Sequence, residues 1–424
     1  MPKAVQKGVV PPLRFPEFRD AGPWEVKELH DLAEKITQGG TPKTSVPEYW
    51  DGGIPWLTPA EMGDDAAHHY TFQTTRTIST NGLKNSSTEL LPINSVIISS
   101  RAPIGYVTIN KTEMATNQGC KGIVPRENVY HEFIYHSLIT SKQRLNDLGA
   151  GAGFKEISTS TLKAFQIAIP KKQEQQKIAD CLSSLDELIQ AEKKALEALK
   201  KHKKGLMQQL FPAPDETTPK LRFPEFRDAE PWEVKRLGAV CDFFKGKGLP
   251  KSEITPEGKI PCIHYGELFT DYGEVIRNIK SFTNSSGNCV LSKEDDVLMP
   301  TSDVTPNGLA KASCIKLSNV ILGGDILIIR PHKEMVFGEY LSRFIRFREN
   351  EVLRYVSGTT VFHLYPGSIS KFQVPLPSIT EQQKIADCLS SLDDLILAKS
   401  KRIEALRLHK KGLMQQLFPS MDEV

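Results

Sequence analysis

The residues of this chain best equipped for chemistry sit in short loops where glycine alternates with cations, amides and hydroxyls, and that mixture suits holding a polyanion. Glycine lets backbone approach phosphate closely, lysine pairs with phosphate, and arginine, asparagine and glutamine make bidentate contacts to base edges. In the first half these loops are GGTPK at 39–43, with Lys43; SSRAPIG at 99–105, with Ser100 and Arg101; NQGCK at 117–121, with Asn117, Gln118 and Lys121; and GAGAGFK at 149–155, with Lys155. The second half has KGKGLPK at 245–251, with Lys245, Lys247 and Lys251; HYG at 264–266, with His264 and Tyr265; TSDVTPNG at 301–308, with Thr301 and Ser302; and SGTTVFH at 357–363, with Thr359 and Thr360. Taken singly, each is also an ordinary surface turn.

Catalytic patterns are missing from the same chain. KGKGLPKS does not satisfy GxxxxGK[ST], there is no GxGxxG, and no grouping of cysteine, histidine and acid repeats between the halves. A non-catalytic recognition part is expected. His68-His69 have no further ligands at metal spacing, so they are expected at the surface and no metal site is expected. Seven cysteines without a CxxC pair argue for reduced, packed thiols rather than a disulfide framework.

Length and composition set the frame for those loops. With 424 residues, 39% hydrophobic and 25% charged, the chain should fold into several domains. The net charge of +3 permits local nucleic-acid patches without demanding them. No long uninterrupted apolar run and no apolar leader core are present, so a cytoplasmic location without membrane contact is expected.

The elements that must position the loops are built twice. EQQKIADCLSSLDELIQAEKKALEALKKHKKGLMQQLFP from Glu174 returns from Glu381 with 31 of 39 positions identical, and PPLRFPEFRDAGPWEVKEL from Pro11 returns from Pro219 with 16 of 19. Steps of four and three residues along the longer block pass through Leu182, Leu185, Ile189, Glu192 and Leu196, and in its copy through Leu389, Leu392, Ile396, Lys399 and Ile403. This seam predicts two paired coiled-coil helices, each closed by Phe-Pro. Glu192 and Lys399 hold the same seam position with opposite charge, which favours antiparallel pairing. The run Lys193, Lys194, Lys200, Lys201, Lys203, Lys204 is read as a solvated helix face.

The shorter repeat places Phe15, Phe18, Trp24 and Val26 in a polar, proline-broken segment, which reads as a strap docked on its neighbour. Equivalence of the halves requires the N-terminal strap to lie near the end of the second helix. Between the repeats are two divergent segments with short apolar runs such as SVIISS and DILIIRP set off by turns. Val96–Arg101 aligns with Val297–Ser302, and Asn117-Gln118-Gly119 with Gly323-Gly324-Asp325. The expected fold class is therefore α+β: two globular mixed α/β modules with irregular β cores, separated by two long antiparallel coiled-coil helices in a circular pseudo-two-fold arrangement. The expected segments are 1–170, strap and first module; 171–212, first long helix; 213–378, linker, strap and second module; and 379–424, second long helix and tail.

PWEVKELHDLAEKITQGGTPK, IPWLTPAEM, SSRAPIGYV, and the paired exits IAIPKKQEQQKIADCLSSLDELI and VPLPSITEQQKIADCLSSLDDLI carry a resemblance over nearly the whole chain. The chain resembles the specificity subunit of type I restriction-modification systems. The resemblance implies two target recognition domains that each read half of a split, asymmetric DNA site, with helices that set the spacer and dock methylase subunits. Implied partners are double-stranded DNA, two modification subunits and ATP-dependent restriction subunits. S-adenosylmethionine and ATP are expected on those partners and no cofactor on this chain. Two alternatives stand beside it: a specificity subunit serving a fused nuclease-methylase, and a protein-binding scaffold. Thr301-Ser302-Asp303 replaces Ser100-Arg101-Ala102, so a base-reading role for Arg101 does not transfer to the second module.

Overall fold

A computed structural model describes residues 8–421 apart from 64–67, 150–155, 286 and 288. The chain divides into two compact units, Met1–Leu196 with Lys399–Val424, and Glu197–Ala398. The two long helices, Lys172–Leu210 and Ile379–Leu417, each have 39 residues and each contribute to both units. Where the sequence reading treats each helix as one segment, the compact units divide it.

In the first unit a five-stranded sheet has the order Ala33–Gln38, Cys120–Pro125, Val96–Ser99, Val107–Asn110, Tyr70–Thr71. Val96–Ser99 is central and buried at all four positions, which explains its continuous apolar run in place of alternation. The helix His131–Thr140 covers the sheet with Phe133, Ile134 and Leu138, and Ile178, Ala179 and Leu182 of the first long helix join the same core. A second sheet, Thr77–Ile78, Trp50–Leu57, Ala115–Thr116, stands beside it.

The second unit repeats the plan with different residues. Its five-stranded sheet runs Cys241–Lys245, Ile326–Pro331, Val297–Pro300, Ser313–Ile315, Val275–Ile276, under the helix Gly338–Phe347. Val297–Pro300 is again central and wholly buried. The aligned apolar runs thus take equivalent places.

Each strap docks through a feature that the aromatic pattern did not announce. Arg14 donates from Nε and Nη2 to the two carboxylate oxygens of Glu174 at 2.8 and 2.6 Å, and Trp24 Nε1 donates to Glu174 Oε1 at 3.2 Å. The side chains of Arg14 and Glu174 are 6% and 3% exposed. Arg222 and Glu381 repeat the fork at 2.9 and 2.7 Å in the second unit. Both glutamates lie in the first turn of a long helix, where a negative charge complements the helix dipole. Val26 is buried, while Phe15 and Phe18 are half-buried. Leu13 N donates to Gln416 O at 2.9 Å, and Phe418 packs edge-on against Trp24, so the strap lies on the last turn of the second helix as the repeat logic requires.

Helix pairing is antiparallel within the first unit. Asp186 accepts from Lys410 at 2.5 Å, and Glu192 accepts from Lys399 at 2.5 Å and pairs with Arg402 at 3.1 Å, so rising numbers on one helix meet falling numbers on the other. The hydrogen bond from Lys399 holds the Glu192 carboxyl below its usual range. Leu182, Ile189, Leu389 and Ile403 are buried, whereas Leu185, Leu196, Leu392 and Ile396 are half-buried. In the second unit Lys203 donates to Asp393 at 2.5 Å. Lys203 and Lys410 are repeat equivalents, as are Asp186 and Asp393. The solvated-face reading of the lysine run therefore needs correcting at Lys203, which is tied to two acids.

The second of those acids yields a pH prediction. Burial alone would raise the Glu274 carboxyl, but the Lys203 charge and hydrogen bond, with Arg346 close by, hold it down to about 2 from its ordinary 4.5. A folded value below the unfolded one means that the stabilisation is full above about pH 4.5 and is lost as pH falls toward 2. It amounts to about 3 kcal/mol. In urea unfolding followed from pH 7 downward, Glu274→Gln should lower the midpoint at neutral pH, and the gap to the parent should shrink below about pH 4.5 and close only as pH approaches 2. A constant gap across that range would contradict the assignment.

The thiols behave as the cysteine spacing suggests. All seven are free, with Cys120, Cys241, Cys262 and Cys314 buried. Burial pushes the Cys120 thiol up to about 12, so it is inert at neutral pH. No helix among the described residues is long and apolar enough to cross a membrane.

Candidate nucleic-acid interface

Three of the first unit's glycine-bearing loops meet at one end of its five-stranded sheet. Gly39 N donates to Cys120 O at 3.2 Å and Gly40 N to Thr116 O at 2.9 Å, which ties the 39–43 loop to the 117–121 turn. A Cβ on Gly39 would come within 1.9 Å of Asn117 O, so only glycine permits this approach. The strand Val96–Ser99 runs into the same place, where Ser100 N and Oγ donate to Gly119 O at 2.8 and 3.2 Å. Ile157 N then donates to Ser100 O at 2.9 Å, and Arg101 bridges to Glu156, its Nε 3.0 Å from Glu156 Oε2.

The second unit builds the same junction from unlike residues. Gly246 N donates to Ile326 O at 2.9 Å and Lys247 N to Leu322 O at 3.1 Å; a Cβ on Gly246 would stand 2.0 Å from Gly323 O. Thr301 N donates to Asp325 O and Leu364 N to Thr301 O, at 2.9 and 3.0 Å, matching the Ser100 bonds. Ser302–Asp303 pairs with Phe362–Leu364, whose other neighbour is Val356–Ser357, so residues 357–361 form the hairpin beside Ser302. The alignment of Gly119 with Asp325 is thus reproduced by hydrogen bonding.

Placement separates the candidate residues into two groups. Lys43, Arg101, Gln118, Lys245, Lys247, Lys251, Thr359 and Thr360 are exposed, and Asn117, Ser302, His264 and Tyr265 are half-buried. Ser100, Lys121 and Thr301 are buried, and the expectation that they face DNA is corrected by that burial. Lys121 is 1% exposed, and its ammonium donates to Gln38 Oε1, with Glu156 at 3.9 Å. Burial lowers its pKa, and its hydrogen bond to Gln38 joins the paired strands Cys120–Pro125 and Ala33–Gln38. His264 Nδ1 accepts from Gly266 N at 3.2 Å, and Tyr265 packs on the Ile263 and Leu268 core. Lys155 and most of its loop lie outside the described residues.

Sequence reasoning missed Thr58 and Glu156. Asn117 N donates to Leu57 O at 2.9 Å and Gly323 N to Ile263 O at 3.0 Å, which puts Thr58 where the second unit has His264. Glu61 accepts from Thr58 N at 3.2 Å and Glu267 from His264 N at 2.7 Å. The signal was present as Ile-Pro with a glutamate seven residues after the isoleucine, in IPWLTPAE and IPCIHYGE. Nothing comparable marks Glu156, whose pairing with Arg101 depends on chain folding.

A family profile described as "Type I restriction modification DNA specificity domain" matches twice, at residues 22–201 and 229–408. The type I restriction enzyme MjaIX specificity subunit of Methanocaldococcus jannaschii is 30% identical over 426 residues, covering 93% of this chain and 92% of that one. The EcoR124I/EcoR124II specificity subunit of Escherichia coli is 31% identical over 180 residues, covering 39% of this chain and 42% of that one. The type I restriction-modification S subunit from M. genitalium has the same fold, with a TM-score of 0.61 at 17% identity over 97% of this chain and 100% of that one.

Proposed function

Since the chain belongs to the family of type I restriction-modification DNA specificity subunits, we propose that its two units each read one half of a split, asymmetric DNA site. The chain is a recognition subunit without catalytic chemistry of its own. The observation that carries the reading is the paired junction: glycine approaches, an exposed rim of Lys43, Arg101 and Gln118 in one unit, and Lys245, Lys247, Thr359 and Thr360 in the other. Equivalent scaffolds hold unlike side chains, so two units can select different bases while approaching the duplex alike.

The long helices are the other working part. They alone among the described elements have residues in both units, which supports their fixing the unread spacer between half-sites, much as dimer geometry fixes half-site spacing. Leu188, Leu395, Leu397 and Leu408 are exposed along them, an apolar complement for two modification subunits. Those subunits would bring S-adenosylmethionine, and restriction subunits ATP-driven translocation and cleavage. The cell interior follows from that work.

The test is DNA binding by the chain assembled with its methylase partners. Log affinity should fall steeply with log salt, because phosphate neutralisation releases counterions; a protein-binding scaffold would give a flat line. Arg101→Ala should cost about 1–3 kcal/mol at the first half-site, relax base choice at one position there, and leave the second half-site unchanged. Equal loss on every sequence would assign Arg101 to phosphate instead.

A further inference from the structure

His69 is not at the surface, as its sequence surroundings suggest, but 2% exposed beside Glu132 at 5% and His136 at 0%. One donor atom from each of the three lies within 4.8 Å of the others. Glu132 and His136 are four apart on the helix His131–Thr140 and so share a face, which looks toward Ser183 and Asp186 of the first long helix. His69 Nε2 is 2.6 Å from Glu132 Oε2, and its Nδ1 is 3.7 Å from Asp186 Oδ2. Tyr70 and Tyr135 stack on either side of its ring at 4.1 and 4.0 Å.

The repeat shows what this place requires. Moving 207 positions along turns Glu132, His136, Ser183 and Asp186 into Glu339, Arg343, Ser390 and Asp393. In the second unit Arg343 donates to Asp393 and Ser390 at 2.7 Å each and lies 3.4 Å from Glu339, with Arg277 also 3.4 Å from Glu339. A permanent guanidinium cation therefore ties two carboxylates from different elements. The first unit keeps both carboxylates and the serine but puts an imidazole in the arginine's place. His136 is fully buried, and its Nδ1 has no hydrogen-bond partner. An unpartnered imidazole nitrogen stands where the twin site has a positive charge.

We propose that His69, Glu132 and His136, with Asp186 in reach, form a binding site for a divalent transition-metal ion, zinc by its ligand chemistry, that fastens the recognition domain to the first long helix. Two imidazoles with one or two carboxylates are a zinc-type donor set, and the ion supplies the cation that Arg343 supplies in the second unit. Tyr70 and Lys111 hold Glu132 from outside, at 2.8 and 3.8 Å, and Lys410 holds Asp186 at 2.5 Å, the kind of outer support that orients metal ligands. A cleft of about 310 Å³ lined by Tyr70, Ser183 and Gln190 reaches His69 and Asp186. The site uses side chains away from the reading loops, so it stands or falls independently of DNA recognition.

The experiment is a titration of the full chain, stripped with chelator, using cobalt(II) followed by visible absorption and zinc(II) added in competition. One saturable equivalent with tetrahedral cobalt bands is expected, displaced by zinc. His136→Arg, which installs the second unit's side chain and should preserve folding, is expected to weaken binding at least about 100-fold, since even outer-shell partners are worth about 10- to 100-fold. His69→Gln should do the same, and His332→Gln in the second unit should change nothing. Absence of saturable binding to the parent chain overturns the proposal without any variant. Binding that survives His136→Arg, or several weak equivalents, overturns it as well.

Discussion

Arg14→Ala is expected to destabilise the first unit by about 3–5 kcal/mol, because it strands the buried Glu174 carboxylate without its bidentate partner. Trp24 Nε1 alone cannot replace two charge-assisted bonds. The loss should spread to the end of the second helix, since the strap carries Leu13 on Gln416 and Trp24 against Phe418. Denaturant unfolding followed by tryptophan fluorescence reads this directly. Arg14→Met with Glu174→Met should cost much less than Arg14→Ala, since no unpaired charge remains buried. A loss below about 1 kcal/mol for Arg14→Ala would show that the fork is an ornament of the docked strap rather than what holds it.

Inserting seven residues after Lys194 and seven after its repeat equivalent Lys401 is expected to lengthen the spacer of the recognised site by about three base pairs. Seven residues add about 10.5 Å of helix, against 3.4 Å per base pair. Both helices must grow together. In an antiparallel pair tied by Asp186 to Lys410 and by Lys203 to Asp393, lengthening one helix alone would pull one of these contacts out of register. Seven rather than four residues keep the heptad seam in phase. The half-site sequences themselves should not change. An unaltered spacer in a folded, active variant would remove the ruler role from the helices.

Much of this architecture was legible because duplication makes a sequence its own comparison. The opposite charges at Glu192 and Lys399 could be read as an antiparallel contact since they occupy one seam position in two copies. The strap's place on the second helix followed from equivalence of the halves. The loops were legible by composition, and the hydrogen bonds of Ser100 and Thr301 bear out their alignment. What could not be read was burial. Lys121 looks like a phosphate contact, yet it lies on a strand next to the buried Cys120 and points its ammonium at Gln38. His69 lacked ligands along the sequence because its partners arrive from a helix more than sixty residues away and from the long helix beyond it. Arg14 and Arg222 sat in plain view inside LRFPEFR, but a charged residue in a polar strap gives no sign that its partner is a helix's first turn.

The proposed function has two differently furnished units reading two half-sites at a fixed separation. Its most direct test is methylation-sensitive sequencing of genomic DNA from a host carrying this chain with its partner subunits, before and after residues 30–170 are exchanged for another module. One bipartite motif with unlike halves and a constant gap is expected, of which the exchange rewrites one half and leaves the other half and the gap alone. A continuous motif, or an exchange that alters both halves, would contradict it.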